Sequence, residues 1–297
     1  MDATAHRHRG PARTLWLRIW LWCEAAWRDF LYLVLPADCV VCGAEDQSLC
    51  PECAAVLRKQ TAAPFRAEHS ADALMSVAGH PLLRVVASGE YRDALSQSIL
   101  AFKNHGRTEL GPQLSRCLAR ALDTTAAPPP ATPRASMPTV LLVPIPSTGS
   151  GWRRRGYDPV ALLLRTLVRE GRLPFGMEVV PLLRIKTRLP WHRRHQKGLG
   201  RAARRRNIRN TMKIKQKFVR SFRLKAKPSG QNVIEVVLAD DVLTTGSTLR
   251  EAAKTLELSG FRVRAAVVLA AARAPSGTSA DGHEEGRAEN NLCPKDE

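Results

Sequence analysis

A chain of 297 residues with 44% apolar side chains can bury one large core or two modest ones, which excludes a wholly disordered or fibrous protein. Its formal net charge of +19 is concentrated: 17 Lys and Arg and no acid stand between Ile185 and Lys227, while 29 basic residues face 27 acidic ones elsewhere. Such a block calls for a polyanionic partner, whether pyrophosphate, nucleic acid or an anionic membrane surface.

Taken in chain order, residues 1–13 read as a disordered basic leader. Trp16, Ile19, Trp20, Cys23, Trp27, Phe30 and Leu31 then recur at intervals of three and four, which predicts an amphipathic helix packed on the cysteine-rich stretch and the main domain beyond it, the alternative being a membrane-surface helix. The apolar run from Leu15 to Leu35 is broken by Arg18, Glu24, Arg28 and Asp29 and has no small-residue cleavage site after it. Neither a secretion signal nor a membrane span is expected, and the chain reads as cytoplasmic. Cys39, Cys42, Cys50 and Cys53 form two CxxC pairs seven residues apart. Thiolates two residues apart can grip one tetrahedral ion from a single turn, so a structural Zn²⁺ is expected, the alternative being four unligated thiols in a loop. Residues 14–76 thus read as a helix and a four-cysteine zinc module.

A main domain is expected over 77–272. It starts with a strand around Leu82 to Val86, then helices over 94–102 and 110–122 about the basic turn Lys103 to Arg107. Residues 124–138 hold five prolines and read as an exposed insertion. A strand over 139–143, a Gly, Ser and Arg rich loop from Pro144 to Asp158, a helix over 160–170 and a strand from Met177 to Ile185 come next. The basic loop region spans 186–231, with Trp191 to Asn207 read as a mobile loop and Phe218, Phe222 and Leu224 hinting at a strand. Val233, Ile234, Val236, Val237 and Leu238 have the apolar character of a strand covered on both faces of a parallel sheet. A helix from Leu249 and a strand from Val263 to Ala271 complete a right-handed crossover. Residues 273–297 read as a disordered tail.

The chemistry is expected at the end of that strand. Asp240 and Asp241 fall at its carboxyl end, where open α/β sheets hold ligands. Thr244, Thr245, Gly246, Ser247 and Thr248 then offer four hydroxyls and a glycine before a helix, a make-up that can turn N–H groups and a helix N-terminus onto one phosphate. The acid pair would accept from sugar hydroxyls; the plainer alternative is that it caps a loop. Arg153, Arg154 and Arg155 lie in a second strand-to-helix connection, where they could neutralise a diphosphate or stand as a solvated run.

The thirteen residues VVLADDVLTTGST resemble the hallmark of type I phosphoribosyltransferases. With the CxxC pairs, FKNHG, VPIP followed by the arginine cluster and RGYD, and QKGLGRAARRRN, the chain resembles the ComF family, relatives of competence and DNA-utilisation proteins, over about Leu31 to Ala272. That family commonly has Asn and Gln where this chain has Asp158 and Pro159. The resemblance implies an α/β fold, a type I phosphoribosyltransferase-like parallel sheet flanked by helices, beside the zinc module. It implies phosphoribosyl pyrophosphate or another ribose 5-phosphate ligand with Mg²⁺: ribose on Asp240 and Asp241, 5-phosphate on Thr244 to Thr248, diphosphate on Arg153, Arg154 and above all Arg155. Arg201, Arg205 and Arg206 would close over the diphosphate, with Gln196 and Asn207 at polar positions of the family pattern. The implied reaction is pentosyl transfer, a nitrogen nucleophile displacing pyrophosphate from C1 of the sugar, with a link to DNA uptake or processing and its machinery proteins. The basic block, with Trp191, Phe218 and Phe222 interleaved, supports a different reading, a single-stranded DNA-binding accessory protein without transferase activity.

Overall fold

A computed structural model describes residues 38–126, 139–186, 211–216, 218 and 234–272. The amphipathic helix, most of the proline-rich stretch and of the basic region, and the C-terminal tail lie outside these residues.

Helix α1 (Pro51–Gln60) starts with Pro51 in its first turn and Glu52 beside it, and ends with Arg58 and Lys59, each suited to its end of the helix dipole. The sequence pattern did not single it out. Strand β1 (Phe65–Arg66) leads through two short 3₁₀ turns over 68–74 to β2 (Val85–Glu90), then to α2 (Asp93–Asn104) and α3 (Gly111–Ala126). The predicted insertion therefore begins inside a helix, since Thr124 to Ala126 continue α3. Strand β3 (Val140–Pro144) precedes α4 (Gly149–Arg155) and α5 (Pro159–Arg169). The loop expected between Pro144 and Asp158 is thus largely helical: Thr148 caps the Gly151 N–H, and Gly156, at φ 77°, ends the helix in the left-handed region.

The single strand expected from Met177 to Ile185 is two, divided at Pro181. Strand β4 (Met177–Val179) joins the main sheet, and β5 (Leu183–Ile185) pairs antiparallel with β6 (Met212–Ile214), a strand the basic composition concealed. Phe218 packs on the core from outside any strand, and Phe222 and Leu224 lie outside the described residues. Strand β7 (Glu235–Leu243), α6 (Ser247–Glu257) and β8 (Arg262–Ala271) close the fold.

The main sheet runs β1-β2-β8-β7-β3-β4, parallel except for β1. It is a mixed α/β fold with helices on both faces, as the sequence led one to expect. Val236 and Leu238 pack with Leu74, Leu249 and Leu256 on one face; Val237 and Ala239 pack with Ile99, Phe102, Leu118 and Leu163 on the other. Each such leucine, fully buried, contributes roughly 2 kcal/mol of transfer free energy. From β3 the chain leaves toward β4 on one side and comes back at β7 on the other. The carboxyl ends of β3 and β7 therefore flank a topological switch point, the crevice where doubly wound sheets bind ligands.

Candidate functional site

Strand β3 ends at Pro144, level with Ala239, and Ile145 N–H donates to the Ala239 carbonyl at 2.8 Å. Strand β7 does not end there: it runs through Asp240 and Asp241 to Leu243, paired with β8. The acid pair, expected just beyond a strand, is instead within one, on the margin that β3 has left. Asp240 Oδ1 accepts from Asp241 N–H at 2.9 Å and Asp241 Oδ1 from Val242 N–H at 2.8 Å. Asp241 is in step with Val237 and Ala239 and so turns toward the α2 layer, where Lys103 Nζ lies 2.5 Å from its Oδ2. Burial pushes the Asp240 carboxyl up, helped by the Asp241 and Asp158 charges and opposed by the Asp241 N–H and Lys103, to about 8.

Thr244 to Gly246 form the turn after β7, and Ser247 begins α6. Gly246 sits at φ 73°, and a Cβ there would stand 2.5 Å from Leu74 Cγ, so only glycine fits this corner. Thr245 and Ser247 hydroxyls lie 3.0 Å apart, and the Thr245 carbonyl accepts from Ala73 N–H. Gly246, the N-cap of α6, has no side chain to cap it, and Thr245 Oγ1 accepts from the Ser247 N–H only at 3.4 Å, which leaves the N–H groups that follow for an anion.

Across the crevice, Asp158 caps α5 through Ala161 N–H (3.1 Å) and accepts from Ser147 N–H (2.8 Å). Asp158, which stands where the family commonly has Asn, thus makes two polar contacts. Arg155 reaches Ser147 Oγ at 3.3 Å, and its buried Nε makes no hydrogen bond among the described residues. A buried guanidinium N–H without an acceptor is the counterpart of an anion. Gly151 makes room for it: a Cβ would lie 2.7 Å from Arg155 Nη2. Arg154 donates to Asn104 Oδ1 at 3.0 Å, and Arg153 is exposed. The acid pair at the end of β7, the Thr244–Thr248 segment after it and Arg155 at the end of α4 hence belong to one sheet edge, whereas Arg153 is exposed and Arg154 is turned to Asn104. Gln196, Arg201, Arg205, Arg206 and Asn207 lie outside the described residues, as does Trp191. Sequence reasoning missed Lys103; its signal was its place in FKNHG.

The second cluster is Cys39, Cys42, Cys50 and Cys53, whose sulfurs all lie within 4.8 Å of one another. Zn–S bonds of about 2.3 Å give a tetrahedron with edges of about 3.8 Å, and Cys42 and Cys50 Sγ stand 3.6 Å apart. The four thiols fit a zinc ion. Burial opposes ionisation of Cys39, but N–H groups of Cys42, Cys50 and Val41 outweigh it and bring that thiol down to about 7, while burial and the crowding thiols push Cys53 up. The module is held to the main domain by Ser48 Oγ on Glu109 (3.1 Å) and by Arg107 on the Asp38 carbonyl (3.1 Å), and Arg107 and Glu109 are themselves paired at 2.5 Å. No helix among the described residues is long and apolar enough to cross a membrane.

No protein-family model matches the chain. Over 177 residues it is 30% identical to Competence protein F of Haemophilus influenzae, covering 60% of this chain and 68% of that protein. Adenine phosphoribosyltransferase from Leishmania donovani superposes with a TM-score of 0.28 and 14% identity over 78% of this chain and 86% of that one, which adds nothing to the topology above.

Proposed function

The chain belongs to the competence protein F family, and from that premise we propose that it binds phosphoribosyl pyrophosphate, or a ribose 5-phosphate ligand like it, with Mg²⁺ at the carboxyl edge of β3 and β7. The observation that carries the reading is the pairing, at a switch point, of two carboxylates with a helix start whose N-cap is a glycine, one short turn away. Asp240 and Asp241 accept from the ribose hydroxyls, and the Thr244–Thr248 turn with the first N–H groups of α6 takes the 5-phosphate. Arg155, with its unmatched Nε, takes the diphosphate, and Arg153 and Arg154 add charge behind it.

Mg²⁺ fits as a partner of the ligand's own oxygens. Among the described residues only the cysteines are gathered closely enough to cage an ion themselves, and Mg²⁺ prefers phosphate oxygens and water to such cages. When bound it offsets diphosphate charge; the chain's residues orient the sugar. The protein is then a cytoplasmic participant in competence or DNA uptake, with zinc as the structural ion of its cysteine module.

Calorimetric titration with phosphoribosyl pyrophosphate and Mg²⁺ tests the site. Wild type gives saturable heat, and Asp240→Asn with Asp241→Asn, which keep the shapes and remove the pair's ability to ionise, weaken binding at least about tenfold, ~1.4 kcal/mol. Absence of heat from wild type overturns the reading. Offering labelled ligand with purines, pyrimidines and simple amines then separates transfer from binding alone.

A further inference from the structure

The ribose reading gives the acid pair a ligand but leaves a cation from another element set against it. Lys103 is the penultimate residue of α2, and its side chain is only 35% exposed where it meets Asp241, itself 12% exposed. Its two neighbours are engaged as well. The Phe102 carbonyl accepts from the Tyr157 hydroxyl just after α4, and Asn104 Oδ1 accepts from Arg154 within it. Three consecutive residues of one helix end thus hold β7, α4 and the turn into α5. We propose that Lys103 is a positioning residue of this site: it fixes the Asp241 carboxylate at the lip of the sheet, and the helix end that carries it sets the acid pair and the arginine helix in one arrangement.

The physical need is plain. Two adjacent carboxylates repel, and burial makes each charge harder to keep. The charged groups that face the pair are Lys103 from α2 and Asp158 from the start of α5, while Arg154 and Arg155 of α4 are turned to Asn104 and Ser147. Lys103 is therefore the cation in contact with the pair among the described residues, and it answers repulsion to which Asp158 adds. With it in place, Asp241 is held as an acceptor of fixed direction before any sugar arrives, so less ordering remains for binding. Without it Asp240 would keep its proton to still higher pH.

This inference rests on the ribose reading for its use in binding, though not for the ion pair itself, and two measurements keep them apart. Carboxyl-carbon NMR titration of the ligand-free chain reads the pair directly. Lys103→Met, which keeps the apolar stem, moves the Asp240 midpoint up by about one pH unit, and Lys103→Arg restores it; an unmoved midpoint in the folded Met variant overturns the proposal. Calorimetry at pH 7 with phosphoribosyl pyrophosphate and Mg²⁺ reads the use. The Met variant binds about tenfold more weakly, recovers as pH rises and is rescued by Arg; wild-type affinity in the Met variant overturns the proposal too. If wild type gives no heat, the ribose reading falls while the NMR titration still decides the role of Lys103. Lys103→Gln replaces the Met variant should that one fail to fold.

Discussion

Asp240 holds its proton into a range where carboxyl groups have ordinarily lost it, and this sets how stability should vary with pH. Burial, then the Asp241 charge, lifts its midpoint to about 8, against about 4 in an unfolded chain. Between those values the native state binds more protons, so this residue's contribution is present below pH 4 and is lost as pH rises through 8. Asp240→Asn, neutral throughout, is expected to raise the melting temperature at pH 8 by about 3–6 °C, the difference closing near pH 4. Thermal melts followed by circular dichroism across that window check it, and a pH-independent difference would count against the assignment. Gly246 makes the opposite case, a residue whose absence of side chain is its contribution. Gly246→Ala meets Leu74 at 2.5 Å and must hold φ 73°, so a loss of about 2–4 kcal/mol in urea unfolding is expected, with weaker phosphate binding.

At the scale of elements, the cysteine module shows how a metal can substitute for apolar area. Cys50 is both a thiol of the cluster and the N-cap of α1, its Sγ accepting from Cys53 N–H. Chelation should therefore unravel the start of α1 with the knuckles: a chelator is expected to reduce helical signal and release about one zinc per chain, measurable with a metallochromic dye. Retention of full helicity in metal-free protein would show that the thiols hold α1 unaided. The element map also shows where sequence is readable. β3, β7 and β8 announced themselves as apolar runs because both faces of a parallel strand are covered. The continuation of β7 through two aspartates did not, since β8 supplies backbone partners whatever the side chains are. α4 was hidden because GSGWRRR has no apolar period; Thr148 and Gly156 define it instead. The one strand read from Met177 to Ile185 failed at Pro181, which cannot donate to a ladder. The Lys103 ion pair was unreadable for a different reason, being made only when α2 packs across β7.

For the whole molecule, the segment Phe102 to Glu109 is where separate parts meet. It grips the turn after α4, the acid pair and Arg154 at one end, and the cysteine module through Arg107 and Glu109 at the other. The acids, the phosphate turn and the arginine helix were each legible as motifs, but their common address at the switch point was not, because strand order depends on pairings that no local pattern records. One consequence lies in the unequal lengths of β3 and β7. Ala239 faces β3, so two residues on, Asp241 turns its N–H to the same side, where β3 has stopped; Asp240 Oδ1 takes that N–H. The carboxylate thus seals a raw sheet margin against a stray strand from another chain. An alanine at 240 would leave that margin open and an asparagine would not, so aggregation on storage should distinguish Asp240→Ala from Asp240→Asn.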